Sequence, residues 1–208
     1  MNLPVSVPSF SLRPHDSLGT WESRDKRFRQ DSHELLAQLE QICQEVLDTW
    51  PRENGPIISD RSLYPELWKL AKLRDRTSDM VRIYAAMAAE GFLNFYGVLR
   101  LGQQVYDEHF ERMSLIPKLR ALLLVCDSVN IPKSHPAVLS LDKIAQSRNS
   151  LVHPKTKELD DGPGSKRRTS IKVPDAARES VRHMELFFTE FERIVPQAGH
   201  LVAKEPAV

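Results

Sequence analysis

Three scarcities narrow what this chain can be. It has two cysteines in 208 residues, Cys43 and Cys126, and both fall within apolar helical patterns. They read as reduced core residues of a cytoplasmic protein, not as a disulfide framework or part of a metal cluster. Glycine is sparse, with eight residues, and no Gly-rich loop is present to cradle a phosphate with backbone amides. Long apolar runs are missing as well. Runs such as Ala121 to Cys126 are far short of the roughly 20 residues that cross a bilayer.

Charge of one sign is also lacking. A net charge of +1 excludes the simplest nucleic-acid binder, a strongly basic protein coating a polyanion, so any RNA contact must come from a local patch. The start of the chain carries no secretory signal. Its prolines, Pro4, Pro8 and Pro14, suggest a loose extension over residues 1–30, and residues 196–208 read as a similar tail. No internal repeat is visible.

What the chain does have is helical periodicity. With 41% hydrophobic residues, it can bury the core of one domain, placed at residues 31–195. Leu35, Leu36, Leu39, Ile42, Cys43, Val46, Leu47 and Trp50 predict a helix behind Asp31 or Ser32, closed by Pro51. A shorter helix is expected from Pro65 to Arg74, then a longer one from Ser78 to about Leu101. In the latter, Met80, Val81, Ile83, Met87, Ala88, Phe92, Phe95, Val98 and Leu99 surround the axis, as in a central bundle helix.

A helix over about 110–129 has the core run Leu119, Leu122, Leu123, Val125 and Cys126, with Pro117 as a restart point. Another begins near Ser134 or Pro136 and ends at Val152. A polar connection, Lys155 to Lys172, leads to a last helix from Pro174 to about Val195, whose core face is Ala177, Val181, Met184, Phe188, Phe191 and Val195. No alternating strand pattern competes. The expectation is an all-α fold, an up-and-down helical bundle of four main helices plus one or two short ones.

One short stretch points to chemistry. Residues 148–154 read Arg148, Asn149, Ser150, Leu151, Val152, His153 and Pro154, which puts a permanent cation, an amide and a titratable imidazole at one helix end. Pro154 pushes His153 to or past the last turn, where unpaired carbonyls favour a protonated ring. On a straight helix Arg148 and His153 stand about 140° apart. Their side chains converge only if the helix stops or a second chain completes the site.

Spacing alone is weak, because Arg178 to His183 repeats it, and Arg27 to His33 and Arg193 to His200 come near it. Context separates them. Leu141, Ile144, Ala145 and Val152 form an apolar stripe on which Arg148 falls, where a charge is costly unless paired or used. Arg178 and His183 lie beside the stripe of their helix and read as solvated, while Arg27 and Arg193 fall in an apparent loop and a fraying end.

A helical bundle whose late core helix carries Arg148-Asn149, three residues and then His153 resembles the HEPN superfamily, over about residues 31–195. The resemblance implies a metal-independent endoribonuclease that needs no cofactor, acting as a toxin, a phage-defence effector or an RNA-processing factor. It also implies a homodimer whose two motifs face each other in a composite cleft, with an antitoxin or regulatory protein as a further partner and no membrane. In the implied reaction a ribose 2'-OH attacks the adjacent phosphate, leaving a 2',3'-cyclic phosphate and a 5'-OH. His153 would move protons, Arg148 would stabilise the phosphorane-like charge, and Asn149 would orient the imidazole or hold a nonbridging oxygen.

Other residues have two readings each. Lys155, Lys166, Arg167 and Arg168 would hold an RNA backbone, or form an ordinary solvated loop. Glu90 either positions Arg148 or is an exposed charge. Phe92, Phe95, Tyr96, Phe187 and Phe188 stack bases, or are core and dimer contacts. His15, His33, His109, His135, His183 and His200 have no partner legible in the sequence. The rival functions are an inert HEPN-like interaction or regulatory module, and a helical adaptor binding its partner through exposed aromatics of the last helix.

Overall fold

A computed structural model of the chain describes residues 24–49, 64–152 and 173–202. Every regular element among them is helical: α1 (Arg24–Thr49), α2 (Pro65–Leu101), α3 (Gln103–His109), α4 (Leu115–Asp127), α5 (Pro136–Val152), α6 (Val173–Ile194) and α7 (Gly199–Val202), with a 3-10 turn at Pro196–Ala198. The fold is all-α, with α1, α2, α5 and α6 as the long members of a helical bundle. None of these helices is long and apolar enough to cross a membrane.

The core is built where α2 meets α6. Ala177, Val181, Met184, Phe188 and Phe191 recur every three or four residues along α6, and all are buried. Phe92 of α2 meets Phe191 edge-on at 4.8 Å and Phe188 at 5.3 Å, and Tyr96 meets Phe191 at 5.0 Å. Such pairs add roughly 0.5–1.5 kcal/mol each beyond their area. Phe92, Tyr96, Phe187 and Phe188 are therefore unavailable for stacking on bases, and the last helix offers no aromatic of this cluster to an adaptor's partner.

Helix boundaries depart from the sequence pattern where polar residues find tertiary partners. α2 runs unbroken for 37 residues, whereas its sequence suggests a break between Arg74 and Ser78. The polar residues at the apparent break are satisfied in place. Arg74 bonds Asp75 Oδ1 at 2.7 Å, and the Ser78 hydroxyl donates to the Val173 carbonyl at 2.8 Å.

α1 likewise begins at Arg24, inside the expected extension, because Arg29 has tertiary work there. Its Nε donates to Glu185 Oε1 at 2.8 Å and its Nη1 to the Val202 carbonyl at 2.7 Å. The second of these bonds fastens α7. Residues 196–202, expected to trail off, fold back and bury Ala198 and Val202.

Several expected apolar positions are open to solvent, Val152 of the α5 stripe among them. Leu47 and Val125 are exposed, each about a quarter-turn from the centre of its helix's buried stripe. α2 is not enclosed all round either, since Met80 and Met87 on its outer face are exposed.

Candidate functional site

α5 carries the motif, and both of its ends are fixed. At the start, His135 Nδ1 accepts the Ala137 amide at 3.2 Å, and Pro136 occupies the first helical position. Leu141 and Ile144 anchor the middle in the core. One turn on, Arg148 emerges at the edge of that face, 39% exposed, with Nη1 3.5 Å from Oε2 of a 38% exposed Glu90. That separation is long for a charge-assisted hydrogen bond. Asn149 is exposed, and His153 lies outside the described residues, as do Lys155, Lys166, Arg167 and Arg168.

The last turn of α5 is clamped by a residue that no sequence pattern marks. Arg82 of α2 donates from Nε to Ser147 Oγ at 2.9 Å, and from Nη2 to the Ser147 carbonyl at 2.7 Å and Ser150 Oγ at 2.6 Å. Ser147 Oγ in turn lies 2.8 Å from Ser180 Oγ, and Ser180 donates to the Ala176 carbonyl at 2.8 Å. With that proton committed, the chain has one direction, from Arg82 through Ser147 and Ser180 to Ala176. It ties α2, α5 and α6 together near the end of α5.

The charge of Glu90 is also felt by a buried cation. Lys118 of α4 is 1% exposed, and Nζ donates to Asn94 Oδ1 at 2.8 Å, the Tyr106 hydroxyl at 3.0 Å and the Glu111 carbonyl at 3.1 Å. Three protons meet three acceptors without a direct carboxylate. Burial pulls the Lys118 pKa down, and Glu90 and Glu111 oppose that shift. Burial likewise pushes the Tyr106 hydroxyl up to about 12, with Glu111 and Glu90 adding to it. Gly97 makes the arrangement possible: a Cβ there would stand 2.5 Å from the Tyr106 ring. Glu90 thus contacts an accessible guanidinium and acts electrostatically on a buried ammonium.

The look-alike motif is built differently. Arg178 is bound to both oxygens of Glu40 at 2.6 Å and to Asp175 at 2.8 Å, joining α6 to α1. His183 is not a solvated residue, as its sequence suggests. Its Nδ1 is buried without a hydrogen-bond partner, and burial lowers its pKa. Arg27 sits on α1 and pairs with Asp31 at 3.7 Å, and Arg193 pairs with Glu190.

No family model matches the chain, and neither the curated proteins nor the solved structures compared with it include a match. The geometry supplies an accessible guanidinium beside an exposed amide, at a rigidly held helix end. Those groups suit an anion with several oxygens.

Proposed function

We propose that the protein is a metal-independent endoribonuclease of HEPN type, working as a homodimer in which two motifs share a cleft. One observation carries the reading: among the described residues Arg148 is held by nothing but a long, half-exposed contact to Glu90, whereas Arg82 beside it is committed to three short hydrogen bonds. Arg148 stabilises the charge on the phosphate under attack by the 2'-OH, His153 moves the protons, and Asn149 assists. Lys155, Lys166, Arg167 and Arg168 follow the RNA backbone. The roles that fit are toxin, phage-defence effector or RNA-processing factor in the cytoplasm, with an antitoxin or regulatory protein as a further partner.

The test is cleavage of RNA by the full chain in the presence of a chelator. Wild type produces 2',3'-cyclic phosphate ends, His153→Ala and Arg148→Ala do not, and a 2'-deoxyribose at the cut protects the substrate. Cleavage that survives both substitutions would reject the site. A second reading, an inert interaction module of the same fold, is favoured by the Arg148–Glu90 contact itself, which gives the guanidinium an internal partner. Under that reading the wild type cuts nothing, and Glu90→Gln does not awaken it.

A further inference from the structure

Among the described residues, α2 presents one face that its neighbours leave open. Leu73, Met80 and Met87 are exposed on it, each seven residues from the next, so they drift only about 20° per step and form a nearly straight seam. Ile83 lies half-buried between the two methionines and belongs to neither apolar cluster of the interior. Arg76, exposed and without an ion pair to any described residue, borders the seam on one side of Ile83. Glu90 borders it at the same distance on the other. From Leu73 to Met87 the seam is about 21 Å long.

This order of residues is its own complement. When two such helices are laid antiparallel about a two-fold axis at Ile83, Ile83 meets its own copy. Met80 then meets Met87 of the second copy, and Arg76 meets Glu90. A parallel pairing would set Arg76 against Arg76 and Glu90 against Glu90, so the charges choose the antiparallel one. Opposite charges equidistant from a central isoleucine suit a two-fold, in which each charge meets its opposite on the second copy.

We infer that this face of α2 is the surface on which two copies of the chain associate, and that Arg76 of each copy reaches Glu90 of the other. The consequence for the site rests on the nuclease reading above. Glu90 is the partner of Arg148, so a guanidinium arriving from the second copy shares that carboxylate and leaves Arg148 freer for a phosphate. Arg76 then acts as a positioning residue supplied across the interface.

The experiment uses the full chain with Cys43→Ser and Cys126→Ala as background. Ile83→Cys is expected to give a covalent dimer with a short bismaleimide, and a mixture of Met80→Cys and Met87→Cys chains is expected to give the mixed dimer. Leu47→Cys, exposed on α1, is expected to give neither. By light scattering, Arg76→Glu weakens self-association at least tenfold, and adding Glu90→Arg restores most of it. A monomer at every concentration, cross-linking that favours Leu47→Cys, or indifference to Arg76→Glu would each overturn the inference. No RNA enters this measurement. A dimer that cuts nothing would reject the nuclease and keep the interface, and a monomer that cuts RNA would do the reverse.

Discussion

Arg100 and Arg148 both reach a carboxylate on another helix, yet they are opposite kinds of cation. Arg100 Nη1 lies 2.6 Å from Asp127 Oδ1 and also donates to the Tyr96 hydroxyl at 3.0 Å, with side chains only 7% and 10% exposed for the ion pair. Its Nη2 bonds the Cys126 carbonyl, and Tyr96 donates to Asp127 Oδ2 at 2.6 Å. Arg148 has the 3.5 Å contact to Glu90, and both side chains are more than a third exposed. A desolvated, fully bonded pair is expensive to break because the survivor is left buried, whereas a solvated pair contributes little. The first cation holds structure, and the second is free to do something else.

The sharpest break of that contrast is Asp127→Ala. It strands Arg100 and removes the acceptor of the Tyr96 hydroxyl, and is expected to cost about 3–5 kcal/mol of unfolding free energy in urea. A loss below about 1 kcal/mol would mean that the Arg100 network is no more structural than the Arg148 pair. Arg82→Ala comes next. It removes the clamp on the last turn of α5, and about 1–2 kcal/mol is expected from its hydrogen bonds. Hydrogen exchange should show the amides of Leu151 and Val152 opening first. Uniform exchange along α5 would deny Arg82 its positioning role.

How much of this could be read in the sequence depends on where the deciding partner lies. α5 and α6 are bounded by Pro136 and Pro174 and carry strong stripes, so local signals suffice and their ends fall where the pattern places them. α3 has seven residues and buries only Tyr106, too little for a periodic signal. Lys118 was legible by the argument that singles out Arg148, a charge on an apolar stripe, here between Leu115 and Leu122. Pro117 beside it marks a helix restart and masks that stripe. Arg82 was not legible, because its role is set by a serine 65 residues away. For the site, Arg148 and Asn149 stand where the pattern puts them, and His153 falls outside the described residues.

A smaller effect sharpens the comparison from the other side. Arg148→Ala should change stability by less than about 0.5 kcal/mol, since a half-exposed pair contributes little. Under the proposed chemistry it should lower RNA cleavage by about 100-fold or more, as loss of a charge-stabilising donor does. A large loss of stability would place Arg148 with Arg100 among the structural cations, and equal cleavage would remove it from the site.

The smallest expected effect concerns the histidine of the look-alike motif. Burial, then Arg182, lower the His183 pKa from its ordinary 6.5, and Glu179, 3.5 Å away, only partly opposes them. The folded protein therefore prefers the neutral ring. Its contribution to stability is complete above pH 6.5 and is lost as the pH falls through the lower folded value. His183→Leu removes this titration and also the unpaired buried Nδ1. The variant should melt within about 1–3 °C of wild type at pH 7.5, and should lose less on moving to pH 5. NMR titration of the His183 ring gives the direct reading. A midpoint at or above 6.5 would show the ring solvated, and the difference between the two arginine–histidine pairs would then rest on their arginines alone.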